Sequence, residues 1–324
     1  MHGRGDHPPS DPGALAVRSP KWDDRLRLIF TCAHPALPLD ARVALTLRSV
    51  GGLSTGEVAR AFLVTESTMA QRIVRAKAKI AHAGIPYRVP PADALPERLS
   101  GVLAVLYLIY NEAYAATSGE SLQRLDLAAE AIRLSRLVAG LLPEPEAVGL
   151  LALMLIQHAR AVARVDTEGE LVSLEEQDRS LWNSADIAEG LDLLSRQPDP
   201  RNQGPYRVQA EIQAVHARAG AASETDWPAI LALYRQLPDT PVVELNRAIA
   251  LGMVHGPALG LAALARLADS GRLPSHHLLP AAQADLSRRA GRPDESASFY
   301  ASAIALAPTG PERRYLEKRL SALG

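Results

Sequence analysis

The sequence has almost no cysteine and few aromatic residues. Cys32 is the only cysteine among 324 residues, so no disulfide can form within the chain, and a reducing compartment is expected. Phe, Trp and Tyr together make up 4% of the chain, while Ala and Leu are abundant. This composition favours helices over strands. We therefore predict an all-α protein.

Long apolar runs and the common enzyme motifs are also missing. No run reaches eighteen uncharged apolar residues, and the start of the chain lacks the apolar core of a signal peptide, so a cytoplasmic location is predicted. The chain has no P-loop, dinucleotide-binding, zinc-protease or nucleophile-elbow motif. Cys32 and His34 alone are too few for a metal site, which usually has four ligands. We predict no catalytic residue, no cofactor and no metal, and hence no enzyme.

Charge is distributed unevenly along the chain, although the net charge is only −1. Residues 21–90 contain eleven Lys or Arg and five Asp or Glu, and the residues from 91 onward carry a net charge of −7. Attraction to phosphate is a local property, so the basic first part favours nucleic acid. The acidic remainder argues against a second DNA-binding surface.

Residues 51–80 predict two short helices joined by a tight turn. Ser54 and Glu57 have the spacing of a capping box at the start of the first helix. Thr65 is expected to begin the second helix, with Glu66 in its first turn, where its charge suits the helix dipole. Apolar residues of the second helix recur at steps of three and four and should face inward: Met69, Ile73, Ala76 and Ile80. The pattern is that of a helix-turn-helix.

The opposite face of the second helix carries hydroxyl, amide and cationic side chains. They are Ser67, Thr68, Gln71, Arg72, Arg75 and Lys79. Such groups hydrogen bond to base edges and to phosphates. We predict that this face binds DNA in the major groove. The alternative is a solvated polar face on a helical bundle.

These segments resemble region 4 of bacterial sigma factors of the extracytoplasmic-function (ECF) type. The matching positions are Pro38, Ala41, Arg42, Ala44, Leu45 and Arg48, then Glu57, Val58 and Ala59, and finally Thr68, Met69, Arg72, Ile73, Arg75 and Ala76. The resemblance implies a protein that reads the promoter −35 element and has promoter DNA and core RNA polymerase as partners. It also implies that the second helix supplies the DNA contacts.

Further runs resemble the ECF subgroup with a long helical C-terminal extension. They cover residues 25–38, 62–77, 83–90, 106–119 and 174–183. In that subgroup the extension is thought to regulate sigma activity in place of a separate anti-sigma factor. Stacked helical pairs usually form a concave surface for a peptide or another protein, so a regulatory protein or peptide on the C-terminal repeats is expected as a further partner. Region 2, the sigma domain that grips polymerase and melts the −10 element, has no counterpart in this sequence. We expect either the C-terminal part of a longer product or a natural half-length relative.

Helical periodicity continues from residue 96 to the end of the chain. It predicts helices near 96–115, 121–142, 144–165 and 175–197, the last opened by the acidic residues Glu175, Glu176 and Asp178. Gly220, Gly256 and Gly291 then fall 36 and 35 residues apart, each between two predicted helices, a spacing typical of tetratricopeptide-like (TPR-like) repeats.

The expected organisation has five parts. Residues 1–20 are a disordered leader, 21–84 the helix-turn-helix DNA-binding domain, 85–95 a linker, 96–203 a helical extension, and 204–324 TPR-like helical repeats. The leading hypothesis is a sigma-like transcription protein regulated by its extension. The alternative is a TPR-like protein-binding adaptor or truncated regulator without stand-alone sigma activity.

Overall fold

The computed structural model describes residues 20–62, 64–114, 123–196 and 204–323. Within these ranges the all-α prediction is confirmed, since the regular structure consists of helices and one isolated β-bridge between Val165 and Leu171. None of the helices in the described ranges is long and apolar enough to cross a lipid bilayer. Apart from Pro20, which begins the first helix, the predicted leader lies outside the described residues.

Four helices form the first part of the structure. They are α1 (Pro20–Cys32), α2 (Leu39–Leu45), α3 (Thr55–Ala61) and α4 (Glu66–His82). A π-helical turn, Thr46–Val50, continues α2 and brings Leu47 into the core. Leu45 and Val58 are also buried, so the short helices α2 and α3 are fixed by packing as well as by their caps.

Four more helices follow, and the third of them is buried over ten consecutive residues. They are α5 (Leu95–Tyr114), α6 (Leu125–Leu141), α7 (Pro145–His158) and α8 (Ser184–Ser195). Every residue of α7 from Ala147 to Ile156 is buried, because this helix is apolar on all sides and its neighbours cover it. The thiol of Cys32 lies in the same core, where burial raises its pKa to about 11.

Two of the predicted helices are shorter in the structure. The helix expected to reach residue 165 ends at His158, and the one expected from residue 175 begins at Ser184. The second start is set by Asn183, whose Oδ1 accepts hydrogen bonds from the amides of Ala185 and Asp186 at 3.0 and 3.2 Å. The prediction that an acidic cluster opens a helix was therefore wrong.

Seven α-helices lie in the described residues 204–323. They are α9 (Pro205–Arg218), α10 (Trp227–Tyr234), α11 (Pro241–His255), α12 (Pro257–Asp269), α13 (Leu278–Arg289), α14 (Pro293–Leu306) and α15 (Gly310–Ser321). Gly220, Gly256 and Gly291 each lie between two helices, as expected, and the last two have φ angles of 97° and 70°. The three pairs α9–α10, α11–α12 and α13–α14 are therefore joined at the glycine positions. Their TPR-like character stays a prediction.

One hydrophobic cluster joins the first helices to those that follow. It runs from Leu26 on α1 to Ala214 on α9 without separating residues 21–84 from the rest. The non-helical segment between α4 and α5 also packs on α1, where the Tyr87 hydroxyl donates to the carbonyl of Asp24 at 3.0 Å. The hydrophobic core thus continues across the predicted boundary at residue 84. The division into domains stays a prediction.

Candidate nucleic-acid interface

Side-chain caps fix the starts of α3 and α4, the two helices of the helix-turn-helix pattern. The Ser54 hydroxyl accepts from the amide of Glu57 at 3.2 Å, and the Glu57 carboxylate accepts from the amide of Ser54 at 2.6 Å. Hydrogen bonds from the backbone and the side chain of Ser54 to this carboxylate lower the pKa of Glu57. The Thr65 hydroxyl accepts from the amide of Thr68 at 3.2 Å and begins α4. The capping box and the second helix start are both confirmed.

Buried residues fix how α4 is rotated about its axis. Met69, Ile73 and Ala76 are buried against the core, as predicted, and Ile80 is half-buried. Val58 and Ala59, the buried residues of α3, belong to the same hydrophobic cluster. Because the apolar side is held inward, the other side of α4 is turned outward.

The predicted DNA-binding residues lie on this outward side. Ser67, Thr68, Gln71, Arg75 and Lys79 are exposed, and Arg72 is half-buried. A groove of about 460 Å³ separates α4 from the start of α2, and Arg72, Arg75 and Lys79 line one of its walls. The structure therefore brings the six predicted side chains to one surface of one helix.

Asp40 on α2 lies across this groove and was not predicted. Its Oδ2 lies 3.9 Å from Nη1 of Arg72, and both side chains are partly exposed. A partly exposed pair of this kind is weak, so Arg72 can exchange the carboxylate for another anion. Asp40 and Arg72 lie 32 positions apart in the sequence, and no local pattern connects them.

Val74 is a second residue that the sequence reasoning missed. Its side chain is 64% exposed, one of the two highest values among the large apolar residues that the structure describes. It lies three positions after Gln71 and seven after Ser67, so it shares their side of α4. An exposed aliphatic group at this place is suited to contact with the methyl group of thymine. Helical spacing applied to apolar as well as polar residues would have found it.

The basic residues of α4 are not all on one flank. Lys77 is exposed, but two positions along a helix correspond to about 200° of rotation, so it lies across the helix from Arg75 and Lys79. Arg75 and Lys79 follow each other at one turn and line the groove. Lys77 therefore has the same charge as Lys79 but lies on the other flank of α4, so the two residues can be compared to separate the effect of charge from that of position.

A capped helix pair with one buried and one basic, hydrogen-bonding face is a helix-turn-helix, the class of DNA-binding domain defined by the fold and the site. Residues 27–80 match the family described as Sigma-70, region 4. Residues 98–197 match a second family, described as a family of unknown function (DUF6596). The chain is therefore sigma-factor-like and carries a DNA-binding domain, followed by a domain of undetermined role.

The chain also resembles a curated relative. It is 45% identical over 305 residues to an uncharacterized protein of Rhizobium meliloti (strain 1021), and the match covers 93% of this chain and 72% of the relative. The chain belongs to the family of that protein. No solved structure matches it.

Proposed function

We propose that the protein is a sigma-like transcription protein of the ECF type, which binds promoter −35 DNA through α4 and directs RNA polymerase. One observation carries the proposal: Ser67, Thr68, Gln71, Arg75 and Lys79 are exposed together on the outward side of a helix whose inward side is fixed by the core. An outward helix with these groups can enter a major groove. The match to sigma-70 region 4 supports the same role.

The proposed contacts divide into two kinds. Arg72 and Lys79 line the groove beside α4 and supply positive charge for phosphates. Gln71 can pair with adenine, and Arg75 with guanine, through two hydrogen bonds. Val74 adds an apolar contact for thymine. The first kind sets affinity and the second sets sequence preference.

The helices from α5 onward supply the regulatory part of the proposal. Those from α5 to α9 share one hydrophobic cluster with the helix-turn-helix, so a change in them can be transmitted to α3 and α4. We expect core RNA polymerase and a regulatory protein or peptide as partners, and a protein with these partners acts in the cytoplasm. The rival function is a protein-binding adaptor that does not use its helix-turn-helix.

DNA titration separates the two functions. Duplexes that bind the full chain are first selected from a randomised library, and a selected duplex is then titrated by fluorescence anisotropy. Arg75→Ala should weaken binding by about 1–3 kcal/mol, as expected for a side chain that contacts a base. Lys79→Ala should also reduce the slope of log affinity against log salt by about one phosphate contact.

Lys77→Ala is the matched control, because it removes the same charge from the other flank of α4. It should leave both the affinity and the salt slope nearly unchanged. If Lys77→Ala and Lys79→Ala act equally, or if Arg75→Ala has no effect, then α4 does not read DNA. Run-off transcription with core RNA polymerase on a template carrying the selected sequence then tests initiation itself.

A further inference from the structure

A strongly acidic segment follows α7 and lies outside the helices. Residues 166–178, which we name the acidic strap, contain six carboxylates and no Lys or Arg: Asp166, Glu168, Glu170, Glu175, Glu176 and Asp178. Its first half is a tight hairpin closed by the bridge between Val165 and Leu171. Gly169 makes the turn with a φ of 81°, and the Asp166 carboxylate accepts from the amides of Glu168 and Glu170. The strap is thus an ordered, non-helical segment with a hairpin followed by a second turn.

The acidic strap lies across the last helices of the chain. Glu170 Oε1 lies 2.6 Å from Nε of Arg314 on α15, and Glu176 Oε1 lies 3.1 Å from Nη1 of Arg319 on the same helix. Glu175 pairs with Arg289 on α13. The three pairs join residues more than a hundred positions apart. We name the surface formed by Arg289, Arg314 and Arg319 the strap-binding face.

The end of the strap is fastened to a third helix. Arg179, directly after it, donates from Nη1 to the carbonyls of His216 and Ala219 at the end of α9, at 2.6 and 2.8 Å. The guanidinium also lies 4.5 Å from the ring centroid of Trp182. The strap therefore spans from the end of α9 to α13 and α15, and covers a surface to which all three contribute.

Charge is complementary between the two sides of this contact. Residues 91–203 contain nine Lys or Arg and eighteen Asp or Glu, whereas residues 204–324 contain thirteen Lys or Arg and eleven Asp or Glu. The excess of acidic residues after position 90 therefore lies in residues 91–203, which include the strap. Residues 204–324, which form the helices that the strap covers, are slightly basic. Opposite potentials of this kind select binding partners.

The strap is held by contacts that are easily exchanged. No residue from Val165 to Leu181 is buried. Half of the Glu175 and Glu176 side chains remains exposed in their ion pairs. Exposed ion pairs contribute little to stability, and segments with few buried apolar contacts open locally at low cost. The strap can therefore leave its face while the helices stay folded.

We propose that the strap-binding face is a docking site for an acidic, non-helical peptide segment of a partner protein, and that the acidic strap occupies this site until the partner replaces it. The strap itself shows the chemistry that the site accepts: carboxylates at the spacing of Arg289, Arg314 and Arg319, with half-buried Leu171 and Leu174 between them. A strap tethered in the same chain competes at high effective concentration and so sets a threshold for the partner.

A peptide fits the face better than nucleic acid does. Asp285 lies between the arginines, with its carboxylate 2.7 Å from Arg288 and Arg289 and 3.8 Å from Arg319. A carboxylate at this place holds the guanidinium groups in position and repels a continuous phosphate backbone. Isolated carboxylates on a polypeptide can avoid it, as those of the strap do.

The inference goes beyond DNA binding, and its test uses no promoter. A fluorescein-labelled peptide with the sequence of residues 166–178 is titrated into the full chain by anisotropy. In the triple variant Glu170→Gln, Glu175→Gln, Glu176→Gln, whose own strap is weakened, the peptide should bind at least about tenfold tighter than in the wild type. Adding Arg314→Ala and Arg319→Ala should abolish this gain.

Two controls keep the result specific. Arg235, directly after α10, and Arg266 on α12 are exposed arginines away from the strap, and Arg235→Ala with Arg266→Ala should leave peptide binding unchanged. A peptide with its glutamates changed to Gln should not bind. Equal losses from the two arginine pairs, equal binding of both peptides, or equal competition by a DNA duplex would overturn the proposal.

Hydrogen exchange of the unmodified chain provides a second measurement that needs no variant. The amide of Val172 donates to the carbonyl of Arg164 at 2.9 Å and reports the closed strap. Excess peptide should speed exchange at Val172 and leave the amides of α7 protected. Unchanged protection at Val172 at saturating peptide would mean that the strap is a permanent part of the fold, and the docking site would be disproved.

Discussion

Arg124 donates a hydrogen bond from Nη1 to the carbonyl of Ala61, the last residue of α3, at 2.8 Å. Its Nη2 donates to the carbonyl of Arg60 at 2.6 Å, and Glu112 on α5 lies 3.7 Å from the same guanidinium. A cation at this place satisfies two carbonyls at the end of the helix and complements its dipole. The first helix of the helix-turn-helix is therefore capped at its end by a residue from the following part of the chain.

Replacing Arg124 tests this connection. Arg124→Ala should lower the free energy of unfolding by about 1.5–3 kcal/mol, the usual range for hydrogen bonds to a charged group. It should also speed hydrogen exchange in α3 and weaken DNA binding, although Arg124 is not on the DNA-binding side. Urea unfolding and exchange measurements check both effects.

The control for Arg124 lies on α6. Arg136 forms an ion pair with Glu189 in which both side chains are about half exposed, so Arg136→Ala should cost less than about 1 kcal/mol. It should not change exchange in α3. Equal effects of the two variants on α3 would show that Arg124 acts only through general stability.

The caps of α4 separate stability from DNA recognition. Thr65→Ala removes the hydroxyl that accepts from the Thr68 amide and should destabilise the protein by about 1 kcal/mol. Ser67→Ala, two residues later, removes an exposed hydroxyl from the predicted DNA-binding side and should leave the melting temperature unchanged while weakening DNA binding. A loss of stability in Ser67→Ala equal to that in Thr65→Ala would contradict the division of roles.

Two glycines provide opposite predictions for the same substitution. A Cβ at Gly260 on α12 would lie 2.8 Å from the Cα of Gly252 on α11 and 2.6 Å from a methyl of Leu286, so Gly260→Ala should cost about 1–3 kcal/mol from overpacking. A Cβ at Gly140 on α6 would meet nothing within 4 Å. Gly140→Ala should therefore raise stability by up to about 1 kcal/mol through helix propensity. Thermal unfolding checks both predictions: a lower melting temperature for Gly260→Ala and a higher one for Gly140→Ala would support the close crossing of α11 and α12 at Gly260.

His216 gives a pH dependence with a defined sign. Burial, with Arg160 and Arg179 nearby, lowers the pKa of His216 to about 4, while the unfolded chain has the ordinary value near 6.5. Below pH 6.5 this histidine is protonated in the unfolded state but stays neutral in the folded state. The free energy of unfolding therefore falls as the pH drops from about 6.5 to about 4. The full loss from this residue is about 3 kcal/mol at most.

Comparison with His216→Gln isolates this contribution, because the other histidines are shared by both proteins. Urea unfolding at pH 7.5, 5.5 and 4.5 should show a flatter decline for the variant. Parallel declines in the wild type and the variant would mean that His216 is accessible to protons in the folded state.

The helix-turn-helix was predictable because its signals are local. Ser54 and Glu57 are three residues apart, Thr65 and Thr68 likewise, and the buried residues of α4 follow the helical repeat. Val74 was missed because only polar residues were considered for the outward side. Local signals gave a wrong helix start after α7. The acidic residues there resemble the first turn of a helix, but Glu175 and Glu176 form ion pairs with arginines of α13 and α15 instead.

The sequence by itself determined the all-α class, both helix starts of the helix-turn-helix, and which side of α4 faces outward, because caps and periodicity act over three or four residues. Only the tertiary structure decided that Arg124 caps α3, that Asp40 meets Arg72, and that Glu170 reaches Arg314. Those pairs lie 63, 32 and 144 positions apart. Their contacts depend on how the helices pack, and helix packing is set by the shape of the whole core rather than by any one segment.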